Sequence, residues 1–407
     1  MQDKKFSKVA TMEGNPRWEQ SITRRSVIYK RDNDIRSEFL RDYNRILHST
    51  AYRRLKHKTQ VFFATENDHI CTRIEHVNHV SSVSYTIANY LGLNTELTNA
   101  IAIGHDLGHA PFGHEGEKIL ERYVAKRLNY KFWHEKNSLR FVDSIETLTD
   151  PDGREQNLNL TYAVRDGIIC HCGEVKSAAI YPRDDNIDLY DIEEAGTVSP
   201  FTWEGCVVKI ADKISYLGRD IEDAITLKIL NIDQLRLLRS IVKSTLGVVA
   251  DFRDINNTVL MHNFMIDLCE NSSPEKGLVF SDKYLEFIDM VKDFNYKNIY
   301  AHKRLERFKK YAELVINTII EALEELYDGE STLPIIKEHK KIYPLLADSF
   351  GKWLEKYCLG INNNTKMYNE KIYELKDKDS YIQAIVDYIS GMTDNYAIKI
   401  FNEIIRF

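Results

Sequence analysis

The chain has 407 residues, room for two to three domains at about 150 residues each, or for one large helical body. Hydrophobic residues make up 43% and charged residues 29%, which is globular composition and excludes long disorder. Lys and Arg total 55 against 61 Asp and Glu, net −6, so no global basic field advertises nucleic acid.

Gly 18 and Pro 8 are few for this length, which favours helices over many short strands. Residues 1–30 read as a polar lead-in. From Asp34 to Phe63 the pattern turns basic and aromatic, with Leu40, Tyr43, Ile46 and Leu47 at helical spacing. Arg73 to Tyr90 predicts a helix with Val77, Val80, Ser84, Ile87 and Leu91 on one stripe, ended by Gly92 and Asn94. Thr95 is expected to cap the next, through Gly104, and His114 to Leu128 a fourth. Asp150-Pro151-Asp152-Gly153 reads as a turn and Tyr181 to Pro200 as an acidic loop. Val207 to Ile225 is strongly helical. Leu305, Phe308, Ala312, Val315, Ile319, Leu323 and Leu326 mark one apolar stripe of a late helix. The expected fold class is all-α, with little strand content.

Ten of the 13 histidines lie between His48 and His171, which points to a metal or acid–base site. His105-Asp106 at a helix end offers a nitrogen and an oxygen to one ion. His76 on the preceding helix offers a third ligand, and a later carboxylate a fourth. That later carboxylate has a candidate in Asp212-Lys213-Ile214-Ser215-Tyr216-Leu217-Gly218-Arg219-Asp220. At about 100° per residue, Asp212, Tyr216 and Asp220 span only ~80° of a helix. Ile210, Ile214, Leu217 and Ile221 lie opposite. One face goes to a core, and the other presents carboxylate, phenol and carboxylate together.

These segments resemble a known family. Thr72-Arg73-Ile74-Glu75-His76-Val77, then His105-Asp106-Leu107-Gly108-His109-Ala110-Pro111-Phe112-Gly113-His114-Glu115-Gly116-Glu117, then Ala211-Asp212-Lys213-Ile214-Ser215-Tyr216, are similar to the deoxynucleoside triphosphate triphosphohydrolases, the dGTPase-like branch of the HD-domain superfamily. Residues 41–49 and 53–62 resemble its N-terminal signature, and Asp387-Tyr388-Ile389-Ser390-Gly391-Met392-Thr393-Asp394 its C-terminal one. The likeness runs from about residue 35 to 400.

The resemblance implies an HD fold, with a catalytic core over 30–230 and a helical C-terminal region over 231–407 packed on it. His76, His105, Asp106 and Asp212 match the family's metal ligands, and His114 and Glu117 its catalytic pair. Arg73 matches a phosphate-binding arginine. Lys213, Tyr216 and Asp220 match residues that hold triphosphate and sugar. Gln60 matches a residue near the sugar 3′-hydroxyl, and His134 an active-site or supporting histidine. The implied reaction hydrolyses a dNTP at the α-phosphate, with a divalent Mn, Mg or Fe ion, to deoxynucleoside and triphosphate. The rivals are another HD phosphohydrolase, acting on nucleotides or signalling nucleotides, and a non-catalytic nucleotide sensor. A homo-oligomer is expected, and a second dNTP as activator is left open.

The chain departs from the family at Ala110, Glu115 and His79. His109 reads as a structural or substrate-contact residue, and Cys170-His171-Cys172 as buried or pocket-wall residues. The basic segment from Arg36 to Lys58 reads chiefly as helix-surface charge paired with local acids; the alternatives are a subunit or substrate-phosphate surface and a nucleic-acid patch with interleaved Tyr43 and Tyr52, which the net charge does not indicate. No apolar run approaches the ~18 residues of a membrane span, and no signal-peptide core follows Met1. A cytoplasmic protein is expected.

Overall fold

The computed structural model describes residues 4–27, 33–63, 69–172, 179–246, 257–361 and 366–406. The helices that build and brace its central cavity are α1 (Glu38–His48), α2 (Arg73–Leu91), α3 (Thr95–Gly104), α4 (Gly113–Leu128), α5 (His134–Arg140), α6 (Tyr162–Cys170), α7 (Trp203–Thr226), α8 (Lys303–Glu324), α9 (Lys378–Ser390) and α10 (Asp394–Ile405). The fold is all-α. Two short antiparallel pairs are the strand content of the described residues: Thr147–Thr149 with Glu155–Asn157, and Ala179–Ile180 with Leu278–Val279. The first pair closes over the turn at 150–153, where Gly153 has φ +77°.

The stripes read from the sequence form the core. Val77, Val80, Ile87 and Leu91 of α2 are buried, as are Ile210, Ile214, Leu217 and Ile221 of α7. Each such side chain contributes about 1.5–3 kcal/mol by leaving water. α2 packs on α3 and α7, and α3 also on α1. On α8, Ala312, Val315, Ile319 and Leu323 are buried, while Leu305 and Phe308 are half-buried at the end nearest the cavity.

Helix boundaries have local causes. The Glu75 carboxylate accepts from the Thr72 N–H at 2.7 Å, so α2 begins at Arg73. Gly92 ends α2 with φ +90°. Asn94, rather than Thr95, caps α3, its side chain accepting from Glu96 and Leu97 N–H.

The polar lead-in is corrected by the structure. Residues 18–22 are helical, Phe6 and Ala10 are buried, and Phe6 meets Trp203 edge-on at 5.0 Å. Thr11 donates twice to the buried Glu204 carboxylate. Its apolar residues are too sparse to form a period, so packing gaps elsewhere decide its placement. Residues 28–30 of that segment lie outside the described residues.

The basic segment is largely spent on structure. Arg45 donates to the Leu158 carbonyl at 2.6 Å, Arg54 pairs with Glu146 at 2.7 Å, and Arg36 with Asp34 at 2.8 Å. Among the described residues no helix is long and apolar enough to cross a membrane.

Candidate active site

A cavity of about 850 Å³ opens between α2, α4, α7 and the start of α8. Its closed end is built by α2, α3 and α7. His76 stands one turn along α2 from Arg73, and its Nε2 lies 3.0 Å from Asp212 Oδ1. His105 follows α3 directly and is fully buried. Its Nδ1–H donates to the Ala102 carbonyl at 2.6 Å, so Nε2 carries the lone pair. That Nε2 has no hydrogen-bond partner and lies 3.7 Å from both Asp106 Oδ1 and Asp212 Oδ1. His76, His105 and Asp212 place their ligand atoms within 4.8 Å of one another. A buried imidazole lone pair facing two carboxylates fits a divalent cation, whose charge would balance them.

The turn after His105 is held from outside. Ser138 Oγ donates to the His105 carbonyl and accepts from the Gly108 N–H, at 2.8 and 2.9 Å. Asn137 donates to the Gly108 carbonyl at 2.6 Å. α5 comes so close that a Cβ on Gly108 would sit 2.1 Å from the Ser138 nitrogen.

Arg73 is the buried cation of the closed end. Its Nη1 donates to Asp106 Oδ2 at 2.7 Å, while Nε and Nη2 have no partner. Unsatisfied guanidinium N–H groups lining a cavity call for an anion. Gly113, at φ +60°, lets the chain pass this guanidinium: a Cβ there would lie 3.3 Å from Arg73 Nη2.

His114 and Glu117 sit one turn apart on α4 and meet. His114 Nδ1 lies 3.1 Å from Glu117 Oε2. The other Glu117 oxygen accepts from the His134 N–H at 2.8 Å and from its ring at 2.9 Å. Burial disfavours charge on His134, but Glu117 and Glu135 outweigh it and carry the imidazole up to about 10. His109, held neutral by burial, stacks on His134 at 4.0 Å and points Nε2 at Asp106 Oδ1, 3.6 Å away. His114, with a 61% exposed side chain, leans over this stack.

The structure therefore brings together Gln60, Arg73, His76, Asp106, His114, Glu117, His134, Asp212, Tyr216 and Asp220 around one cavity. His105 lies beneath its floor. Lys213 is half-buried and is not among the lining residues, and neither is His79. Burial lifts the Asp220 carboxyl to about 7, against the bond from Tyr300, whose hydroxyl donates to it.

Several site residues escaped the sequence reading. Tyr296, Tyr300, Phe308 and Lys309 line the wall facing α4. No periodicity distinguishes them from core. Asp394 is another. It accepts from the Phe112 N–H at 2.8 Å and from the Thr59 N–H at 2.9 Å, tying α10 to both rims of the site. Phe112 itself has φ +66°, so that anchor holds a strained turn just before His114. The buried Lys58 ammonium donates to the His109 and Ser390 carbonyls, making the second tie. Asp394 stood inside the quoted C-terminal string, which was the available signal.

Comparison with known proteins agrees with this geometry. Residues 73–217 match the HD domain, and residues 361–403 match the phosphohydrolase-associated domain. Over 371 residues the chain is 32% identical to the deoxyguanosinetriphosphate triphosphohydrolase-like protein of Caldanaerobacter subterraneus subsp. tengcongensis, covering 91% of this chain and 86% of that one. The chain belongs to the dGTP triphosphohydrolase-like family of HD-domain proteins. A member from Desulfatibacillum aliphaticivorans is 38% identical over 300 residues, covering 72% of this chain and 73% of that one. Another from Rickettsia prowazekii is 30% identical over 387 residues, covering 91% and 92%. Membership makes the chain an HD phosphohydrolase with a metal-binding site. The matched HD segment spans every residue from Arg73 to Asp212 named above.

Proposed function

We propose that the protein hydrolyses deoxynucleoside triphosphates at the α-phosphate, releasing deoxynucleoside and intact triphosphate. The observation that carries this reading is Arg73: a buried guanidinium with two unpartnered nitrogens, set beside a buried cluster of histidine and carboxylate ligands. One half of that pairing calls for an anion and the other for a cation, which is what a nucleotide with a divalent metal brings. His76, His105, Asp106 and Asp212 would hold the ion, with Mn, Mg or Fe all suited to such a set. A divalent ion bound there would neutralise phosphate charge and make water a stronger nucleophile.

The chain's own groups do the rest. Arg73 binds and orients the phosphate. A water oxygen forms the new bond to the α-phosphorus and gives up a proton to bulk solvent, from which His114 is reprotonated, and the bond from phosphorus to the 5′-oxygen breaks. His114 gives its proton to the departing 5′-oxygen, and Glu117 holds the imidazole through Nδ1 so that Nε2 faces the cavity. Gln60, Tyr216 and Asp220 line the sugar end. Lys213 does not line the cavity, so Arg73 is the phosphate-binding cation of this reading. We take 30–230 as the catalytic core and 231–407 as packed on it, supported by Asp394 and Ser390 reaching back to the site.

The test is a product assay with each dNTP and NTP, singly and mixed, with Mg or Mn. Deoxynucleoside plus triphosphate supports the reading. Nucleoside mono- or diphosphate would move the protein to another HD phosphohydrolase class. In the His114→Ala variant, turnover is expected to fall by about 10²- to 10⁴-fold while metal content is unchanged. Activity near the parent level would remove His114 from the proton-transfer role.

A further inference from the structure

His171 sits at the end of α6, 1% exposed, its ring 5.8 Å from that of the cavity-lining His134. Its ring stands edge-on to that of His105 at 4.8 Å. The two histidines share one local geometry. Each follows a helix, and each donates Nδ1–H to the carbonyl three residues back at 2.6 Å: His105 to Ala102, His171 to Ile168. Each therefore carries its lone pair on Nε2, and each Nε2 is buried with no hydrogen-bond partner. His105, Asp106 and His171 place their ligand atoms within 4.8 Å of one another.

This arrangement is unfavourable as it stands. Two buried imidazole nitrogens without a donor face a carboxylate, and acceptors facing acceptors repel. A metal ion relieves all three at once. The backbone of this corner is also fixed for a purpose of that kind. Lys209 of α7 donates to the Cys170 and Cys172 carbonyls on both sides of His171, and Asp212 lies one turn further along the same helix.

We propose that His171 is a fifth protein ligand of the metal centre, giving it three imidazoles and two carboxylates. The proposal rests on the reading of His76, His105, Asp106 and Asp212 as a metal site. It predicts a centre richer in nitrogen than those four ligands alone supply, which favours Mn or Fe over Mg.

The experiment uses the full chain labelled with ¹⁵N-histidine and loaded with Mn(II) alone, without nucleotide. Pulsed electron paramagnetic resonance counts the directly coordinated imidazole nitrogens. The expected count is three. His171→Ala and His171→Gln should each lower the count to two and weaken Mn(II) binding by about 10- to 100-fold. The wild-type count needs no variant, so it stands even if both substitutions unfold the chain. A wild-type count of two overturns the inference, whatever the variants' affinity, and leaves the four-ligand site intact. A wild-type protein that binds no Mn(II) overturns the four-ligand site as well. Neither readout depends on turnover, so the substrate assignment is tested separately.

Discussion

The two ends of the cavity are built on opposite principles. At the closed end, Arg73, Asp106, His105 and His171 are all buried, and several of their polar atoms lack partners. At the open end, α4 and α8 face each other through half-exposed pairs. Glu115 accepts from Lys118 at 3.0 Å and pairs with Lys309 at 3.5 Å across the gap. The closed end stores unsatisfied charge that a ligand must complete, so its chemistry is fixed. The open end is satisfied by itself and by water, so it can change residues at little cost. On the proposed function, the closed wall carries the chemistry and the open wall the preference.

The contrast is broken most severely at Asp106. Asp106→Ala removes a proposed ligand and leaves Arg73 a buried, uncompensated cation. It is expected to cost about 3–5 kcal/mol in denaturant unfolding and to abolish metal uptake. A loss under 1 kcal/mol would mean that the closed end is wetter than its burial implies.

Asp394→Ala is next. It leaves the Phe112 and Thr59 N–H groups without an acceptor, an expected loss of about 2–4 kcal/mol. Turnover should fall more than substrate affinity, because the strained turn before His114 is released. Asp394→Asn, which keeps an acceptor oxygen, should recover part of both. Equal effects of the two substitutions on turnover would remove the positioning role.

Asp220 gives a pH test at the cavity wall. Its carboxyl is raised from 3.8 to about 7, burial outweighing the Tyr300 hydrogen bond. A folded pKa above the unfolded one gives stability that is complete below about pH 4 and lost as pH rises through 7. Relative to Asp220→Asn, wild type should therefore lose on the order of 4 kcal/mol between pH 4 and 8, with no further change above. A flat profile would show that the carboxyl is ionised and solvated.

Lys309→Ala should do least to the fold, within about 0.5 kcal/mol, since the pair is partly exposed. Its effect should appear instead in KM and in the ranking of bases by kcat/KM. A stability loss above 2 kcal/mol, with the ranking unchanged, would erase the distinction between the two walls.

Much of the site was legible because its motifs are local. His105-Asp106 and Asp212-Tyr216-Asp220 carry their geometry in helix spacing, and the structure places all but His105, which lies beneath the floor, on one cavity. His114 and Glu117 meet for the same reason, three residues apart on α4. Lys213 shows the limit of that logic. Adjacent to Asp212 in sequence, it points about 100° away around the helix and does not line the cavity. Tyr300, Asp394 and Lys58 reach the site from distant segments, and their polar or aromatic character has innocent explanations in a helical protein. The N-terminal segment was misread because Phe6 and Ala10 are too few to form a pattern.

The sequence by itself determined the helical class, the apolar stripes of α2, α7 and α8, and the family. Those depend on spacing along one helix or on ordered motifs, both of which survive without neighbours. Only the tertiary structure decided that His171 faces His105 and Asp106, that Asp394 clamps two rims, and that Arg73 keeps two free donors in a cavity. Each depends on which groups remain unpaired after the helices pack, and that count exists only once burial has removed water as the alternative partner.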